Sequence, residues 1–570
     1  MERAKITCRR HKFWFAAFAG FILWSGFIFL FNSDAISSRN EILMISSSTR
    51  IDDRVFPSEE DGVDGQSIDS DHAIGDVVGE GSGDALEVEE SGKDSRNTPV
   101  KRSAATRKVK KQKAKTRNNP KKRPVLSASK AKGSGSAMNV EEPHMETRNT
   151  AGKSSEADKE MVRPDPVACA GRYILVHRLP RRFNEDLIRS CRSLSPWTDM
   201  CAVLSNAGLG PQIQHPGKIL PRHGWYASDQ FSLEVIFHNR MKQYDCLTDD
   251  PTLASAVFVP YYAGIDVARY LWFNASAKVR DSGMRDLVRW LKVKPEWEVL
   301  GGRDHFMVAG RIGWDFRREY ESDSDWGTNL LLLPESQRMM VLVLESTLIY
   351  DGNDYAIPYP TYFHPSSNAE VERWQNRMRR QRREFLFSFA GGPRLDKPDS
   401  IRGQVIDQCR NSPKQRCKLL ECGLNGSKCY RPIDLMQLFQ NSVFCLQPQG
   451  DSYTRRSSFD SILGGCIPVF FHAGSFYEQY KWHLPEDHRE YSVFIPEDDV
   501  RDGKVSIEGE LSRIPTKRVW AMRKAVIQLI PSVVYADPRS NGMTLDDAFN
   551  ITVKGVLERI KRLREEVARR

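Results

Sequence analysis

From about Cys169 to the C-terminus, short apolar runs of strand length alternate with stretches of helical period. In the first part, "CAGRYILVHRLP" (169–180), "ASAVFVPYYAG" (254–264), "DHFMVAGRIG" (304–313) and "MMVLVLES" (339–346) read as buried strands. Helical stretches such as "DQFSLEVIFHNRMKQY" (229–244) separate them. In the second part "REFLFSFAGG" (383–392), "SVFCLQPQG" (442–450) and "CIPVFF" (466–471) are the strands, with helices predicted at 433–440 and 457–463. This alternation predicts parallel sheets and two doubly wound α/β halves. The chain closes on a long amphipathic helical pattern, 545–570, whose charged side reads as a solvated capping face.

The region before Cys169 has a different texture. Residues 13–31 form an apolar and aromatic run broken only by Ser25, close to the roughly 20 residues a helix needs to cross a bilayer. Arg3, Lys5, Arg9, Arg10 and Lys12 precede it, so the positive-inside bias predicts a cytosolic tail (1–12), a retained signal anchor (13–31) and a lumenal remainder. A cleaved signal peptide normally has a shorter apolar core. Residues 32–165, first acidic and then basic, lack apolar periodicity and predict a disordered stem. The net charge of +10 over 570 residues is therefore concentrated partly in a linker, and behind a membrane anchor it does not argue for a nucleic-acid partner. "GEGSGD" (79–84) has no strand before it and no helix after it, so it is no dinucleotide fingerprint.

Ten of the eleven cysteines fall in the ordered region, without histidine partners at zinc spacing. A lumenal compartment predicts disulfides, with 409–429 as a stapled stretch and the full pairing left open. Sequons at Asn274, Asn425 and Asn550 suit the same compartment.

The chemistry gathers in "LQPQGDSYTRRSSFDSILGGCIPVFF" (446–471), where a strand empties into a loop and then a helix. Ligands of open α/β sheets lie beyond the carboxyl ends of strands. Gly450 permits close backbone approach, Arg455 and Arg456 offer charge, and the hydroxyls of Ser452, Thr454, Ser457 and Ser458 flank a helix N-terminus suited to an anion such as pyrophosphate. Asp460 is placed to accept a sugar hydroxyl. A second basic mouth, "FSFAGGPRLDKPDSIRGQ" (387–404), supplies Arg394 and Arg402.

These strings, together with "GWYASDQF", "NRMKQYDCLT", "GGRDHFMVAGRIGWDFRR", "IPYPTYFHP", "SIRGQVIDQCR", "HLPEDHREYSVFIPEDDV" and "LIPSVVYADPRS", occur in an order that resembles exostosin-like inverting glycosyltransferases of family 47, within it the plant xyloglucan galactosyltransferase group. The resemblance implies a GT-B architecture: two Rossmann-like domains facing a cleft, here 166–375 on the acceptor side and 376–570 on the nucleotide-sugar side. It implies donor contacts at Arg394, Arg402, Gly450, Asp451, Ser452, Arg455, Arg456, Ser457 and Asp460, and acceptor contacts at Trp225, Tyr226, Tyr359 and Tyr362. An inverting transfer requires one base for the acceptor hydroxyl, and Asp304, His305, Asp229 and His223 are the candidates. Asp323-Ser324-Asp325 has the Asp-x-Asp form of a metal site but no apolar strand before it, so no metal and no cofactor is expected. The implied partners are UDP-galactose or UDP-galacturonic acid and xyloglucan, at the Golgi membrane and within glycosyltransferase complexes there, with galactosyl transfer favoured over galacturonosyl transfer and over a non-catalytic scaffold.

Overall fold

The computed structural model describes residues 169–569 apart from 197–198, 215–216, 349–351, 423–428, 430 and 541–542. The expected anchor and stem and the sequon at Asn425 lie outside the described residues. No helix among the described residues is long and apolar enough to cross a membrane.

Two parallel sheets organise the described chain. The first contains β1 (Ile174–Val176), β2 (Leu247–Thr248), β3 (Ala256–Phe258), β4 (His305–Ile312), β5 (Met340–Glu345) and β6 (Asp354–Ala356), in the order β2-β1-β3-β4-β5-β6. The second contains β7 (Phe385–Gly391), β8 (Cys417–Glu421), β9 (Ser442–Gln447), β10 (Ile467–Phe470) and β11 (Val493–Phe494), in the order β11-β10-β9-β7-β8. The longer helices are α1 (Leu233–Met241), α2 (Ser282–Lys292), α3 (Asn368–Arg380), α4 (Arg402–Asn411), α5 (Pro432–Gln440), α6 (Arg456–Leu463), α7 (Thr516–Gln528) and α8 (Ala548–Arg569).

Strand periodicity decides how the first sheet is buried. Phe306 and Val308 of β4 and Leu342 and Leu344 of β5 enter one apolar cluster, whereas Met307, Ala309, Val341 and Val343 enter another on the opposite face. Both faces are covered, which is why these strands read as unbroken apolar runs. The first of these clusters continues through Trp374 into Phe387, Phe444 and Ile467 of the second sheet, so the two halves share a core.

That shared core shifts the expected boundaries. The break at 375/376 falls inside α3, whose Trp374 Nε1 donates to the Leu463 carbonyl 2.9 Å away at the end of α6. The terminal helix α8, expected with the second domain, packs on the first sheet's side. Its buried stripe of Phe549, Val553, Val556 and Ile560 has helical spacing. The Phe549 ring lies 4.8 Å from that of Phe237 in α1. Just before α8, Asp547 pairs with the buried Arg240 of α1 at 3.1 Å.

Five disulfides use all ten cysteines of the region: Cys169–Cys246, Cys191–Cys201, Cys409–Cys417, Cys422–Cys429 and Cys445–Cys466. The stretch 409–429 is closed by two short loops rather than one. Cys445–Cys466 joins the middle of β9, the strand from which the arginine-bearing loop departs, to the entrance of its neighbour β10.

Phe549→Ala empties an aromatic site at the seam between α8 and α1. It is expected to lower the unfolding free energy by about 3–5 kcal/mol, read from urea denaturation.

Candidate active site

In the second sheet the chain runs from β7 outward to β8 and then crosses back to β9 on the other side of β7. At such a reversal the loops leaving the two central strands part and open a crevice. The residues after β7 and β9 converge there. Arg455 Nη2 donates to the Ala390 carbonyl of β7 at 2.7 Å, with its guanidinium 5.5 Å from the Phe389 ring. Arg402, the first residue of α4, donates from Nε to the Gln449 carbonyl at 2.8 Å. Arg394 pairs with Asp396 at 3.0 Å and with Asp451, and Lys397 Nζ donates to the Asp451 carbonyl at 2.8 Å.

Gly450 packs against two of these cations. A Cβ there would lie 3.2 Å from Arg455 Cγ, tighter than ordinary contact, and 3.5 Å from Arg402 Nη2, so a side chain would crowd Arg455 first. Burial first, and the neighbouring Arg394 second, push the Arg402 guanidinium down to about 10, and the same two causes lower Lys397. A multiply charged oxyanion entering here would meet fork-shaped and ammonium donors together and would reverse that repulsion.

Of the expected donor set, Arg394, Arg402, Gly450, Asp451, Ser452 and Arg455 come together. Arg456, Ser457 and Asp460 do not. Arg455 is extended (φ −147°, ψ 143°) where α6 begins, and in extended chain successive side chains point to opposite sides. Arg456 therefore turns toward the first sheet, donates to the Ser228 carbonyl at 2.5 Å and lies 3.7 Å over the Tyr362 ring. Asp460 is fully buried beneath it, with Arg456 Nε at 3.4 Å. Burial raises its carboxyl to about 6 against the opposing pull of Arg456. It presents no surface to a sugar. Ser457 donates to the Gln447 side chain.

The expected acceptor aromatics are all buried. Trp225 is stacked on Phe363 and edge-on to Trp374 in the shared core. Tyr226 bonds Asp537 and Arg539 through its hydroxyl, Tyr359 donates to Glu345 at 2.6 Å, and Tyr362 supports Arg456. Aromatic residues in strand-rich sequence look alike whether they cover core or substrate, and here they cover core.

The four base candidates separate by position. Asp304 and His305 lie at the amino end of β4, opposite the end where strand loops form a crevice, and are buried. Asp304 accepts from His305 Nδ1 at 2.9 Å and from Arg564 at 3.2 Å, while His305 Nε2 stands 3.2 Å from His177 Nε2. This is a buried network tying α8 to the first sheet, and it does not reach the crevice. His223 is exposed on the loop before Gly224. Asp229, half-buried and next to the Ser228 that Arg456 contacts, lies at the junction of the two halves and accepts from Phe231 N at 2.8 Å. Asp323 caps the helix at Ala277–Arg280, and the carbonyls of Asp323 and Asp325 both accept from Arg280, so the Asp-x-Asp stretch has a structural use. Asn274 is exposed, whereas the Asn550 amide, inside α8, donates to the Leu545 carbonyl at 3.4 Å.

Three residues at or near the junction escaped the sequence reading: Lys397, Glu345 and Glu234. A carboxylate ending the apolar run of β5, and another inside the apolar helix α1, are the signals that point to the last two. Glu234 is wholly buried and accepts from the backbone N–H groups of Gly264 (2.5 Å), Ile265 (3.1 Å) and Gly310 (2.9 Å), joining α1 to the carboxyl ends of β3 and β4. Gly310 is required because a Cβ there would lie 2.8 Å from Glu234 Cγ. Burial raises the Glu234 carboxyl from 4.5 to about 7, and the three N–H groups oppose that rise.

Between those two values the folded protein keeps a proton that the unfolded chain has released. The Glu234 contribution to stability is thus expected to fall as pH rises from about 4.5 to about 7 and to stay level above. Thermal melts of wild type and Glu234→Gln across pH 5 to 8 check this, with the stability of wild type relative to the variant falling as pH rises to about 7.

The Exostosin GT47 domain family matches residues 168–511. Xyloglucan galactosyltransferase MUR3 of Arabidopsis thaliana is 57% identical over 400 residues, 70% of this chain, and the chain spans only 64% of that protein's length. Probable xyloglucan galactosyltransferase GT12 of the same plant is 49% identical over 72% of this chain and 81% of its own length. Xyloglucan-specific galacturonosyltransferase 1, also of Arabidopsis thaliana, is 41% identical over 70% of this chain and 58% of its own. The solved pneumococcal O-GlcNAc transferase GtfA in complex with UDP and GlcNAc aligns with a TM-score of 0.25 and 14% identity over 51% of this chain and 60% of that one, too slight a likeness to argue from. A family match over more than half of the sequence decides membership: the chain belongs to the exostosin GT47 family of glycosyltransferases.

Proposed function

We propose that this protein transfers β-D-galactose from UDP-galactose to xylosyl side chains of xyloglucan, with inversion at the anomeric carbon. The observation that carries the reading is the gathering of Arg402 and Arg455 against Gly450, and of Arg394 and Lys397 against the next residue, Asp451, at the strand-order reversal of the second sheet. In-line attack by an acceptor hydroxyl breaks the bond between the anomeric carbon and the diphosphate oxygen. The charge released then falls on the UDP diphosphate, and the four cations stabilise it without a metal ion. Asp229, at the junction with the first sheet, is the base we assign to the acceptor proton. The acceptor would approach from the first sheet, giving the two halves the division of labour of a GT-B enzyme. A lumenal Golgi location behind an N-terminal anchor suits both the five disulfides and a wall-polysaccharide acceptor.

Galactose is preferred to galacturonic acid as the donor sugar because the galactosyltransferase MUR3 shares 57% identity with this chain and the galacturonosyltransferase 41%, over the same share of it.

Purified protein given UDP-galactose and xyloglucan oligosaccharides, with a metal chelator present, is expected to yield a product heavier by one hexose. A gain of one hexuronic acid, obtained only with UDP-galacturonic acid, would reverse the donor assignment. Arg402→Ala is expected to weaken UDP binding about 10- to 100-fold by calorimetry, the range for loss of one charge-assisted contact of about 1.5–3 kcal/mol.

A further inference from the structure

The loop that carries the arginine site belongs to the second sheet but is fastened to the first. Glu345, the last residue of β5, is 4% exposed and accepts three hydrogen bonds. Ser452 Oγ donates to its Oε1 at 2.9 Å and Thr454 N donates to its Oε2 at 3.2 Å, both from the loop after β9. Tyr359 Oη donates to Oε1 at 2.6 Å from the first half's own side. The Thr454 hydroxyl donates in turn to the Ser475 carbonyl beyond β10, so the loop is pinned from both halves. The Thr454 N–H can only donate, and as an ionised carboxylate Glu345 accepts from it and from both hydroxyls at once.

The pinned residues flank the anion site. Ser452 is two residues from Gly450, whose N–H donates to the Ser452 carbonyl at 2.9 Å, and Thr454 immediately precedes Arg455. A loop displaced by an ångström would move the Gly450 backbone and the Arg455 guanidinium together, and geometry of that kind governs binding at a preorganised site.

Resting on the donor reading above, we propose that Glu345 is a positioning residue for the nucleotide sugar. Through Ser452 and Thr454 it sets the height of Gly450 and Arg455 over the crevice, so the first half of the molecule governs UDP affinity in the second without touching UDP. The carboxylate is spent on the loop and is not the base of the reaction.

Glu345→Gln keeps the shape but removes the charge and leaves one acceptor oxygen, so the Ser452 and Tyr359 hydroxyls lose the charge-assisted bonds that hold the loop. UDP titrated calorimetrically into this variant is expected to show at least a tenfold rise in Kd, and amide hydrogen exchange across residues 448–455 is expected to quicken. Tyr535→Phe serves as the comparison, since it removes a different buried bond between the halves, from Tyr535 Oη to the Pro358 carbonyl at 2.8 Å, beside Tyr359 but with no contact to Ser452 or Thr454. It is expected to lower Tm while leaving UDP affinity and loop exchange as in wild type. Wild-type UDP affinity in Glu345→Gln would overturn the proposal. So would an equal loss of affinity in Tyr535→Phe, because general loosening would then explain both. Failure of the wild-type protein itself to bind UDP would instead remove the donor reading, and this inference with it.

Discussion

Arg455 and Arg456 leave the start of α6 in opposite directions, because the chain is extended at Arg455 and helical from Arg456 onward. One guanidinium crosses to β7 and closes the arginine crevice, and the other crosses to Ser228 and Tyr362 of the first half. Two adjacent identical residues thus define the arginine crevice and the junction that supports it. The separation follows from a single pair of backbone dihedrals, and Thr454, tied to Glu345 and Ser475, holds the preceding residue in place.

The junction is therefore part of the site rather than a hinge beside it. The apolar cluster runs from the first sheet into the second, α8 returns to seal the first sheet, and buried polar contacts fill the seam: Tyr535 to Pro358, Tyr480 to Leu344, Gln479 to Ser346. Buried polar networks of this kind fix one geometry, since each unsatisfied partner would cost about 1–3 kcal/mol. A transferase needs such fixity where donor and acceptor surfaces meet, because misplacement there costs rate directly.

Much of this was legible in the sequence. The longer strands and the helices at α1, α5, α6 and α8 follow from apolar period, because a sheet covered on both faces leaves an unmistakable continuous run. The short edge strands β2, β6 and β11 were not, since two or three residues carry no period, nor was the edge strand β8, where Lys418 and Glu421 interrupt the apolar run. That Arg394, Arg402, Gly450 and Arg455 gather at one strand exit is legible because charge and glycine follow the apolar runs directly. Arg456 and Asp460 were misplaced because residue type does not report which way a side chain leaves the backbone. Asp304 and His305 were misplaced because a charged pair beside an apolar strand looks the same at either end of it, and only the carboxyl end faces a ligand. Trp225, Tyr226, Tyr359 and Tyr362 cover core or polar seam, a use that an aromatic residue type leaves open.

The central claim is that the strand-order reversal at β7 and β9 holds the donor diphosphate. A crystal structure of the disulfide-bonded region with UDP bound tests it most directly. The account predicts phosphate oxygens within hydrogen-bonding distance of Arg402 and Arg455 and against the Gly450 backbone, with Asp451 drawn away from Arg394. UDP seated elsewhere, for instance at Asp323 and Asp325 through a divalent cation, would contradict it.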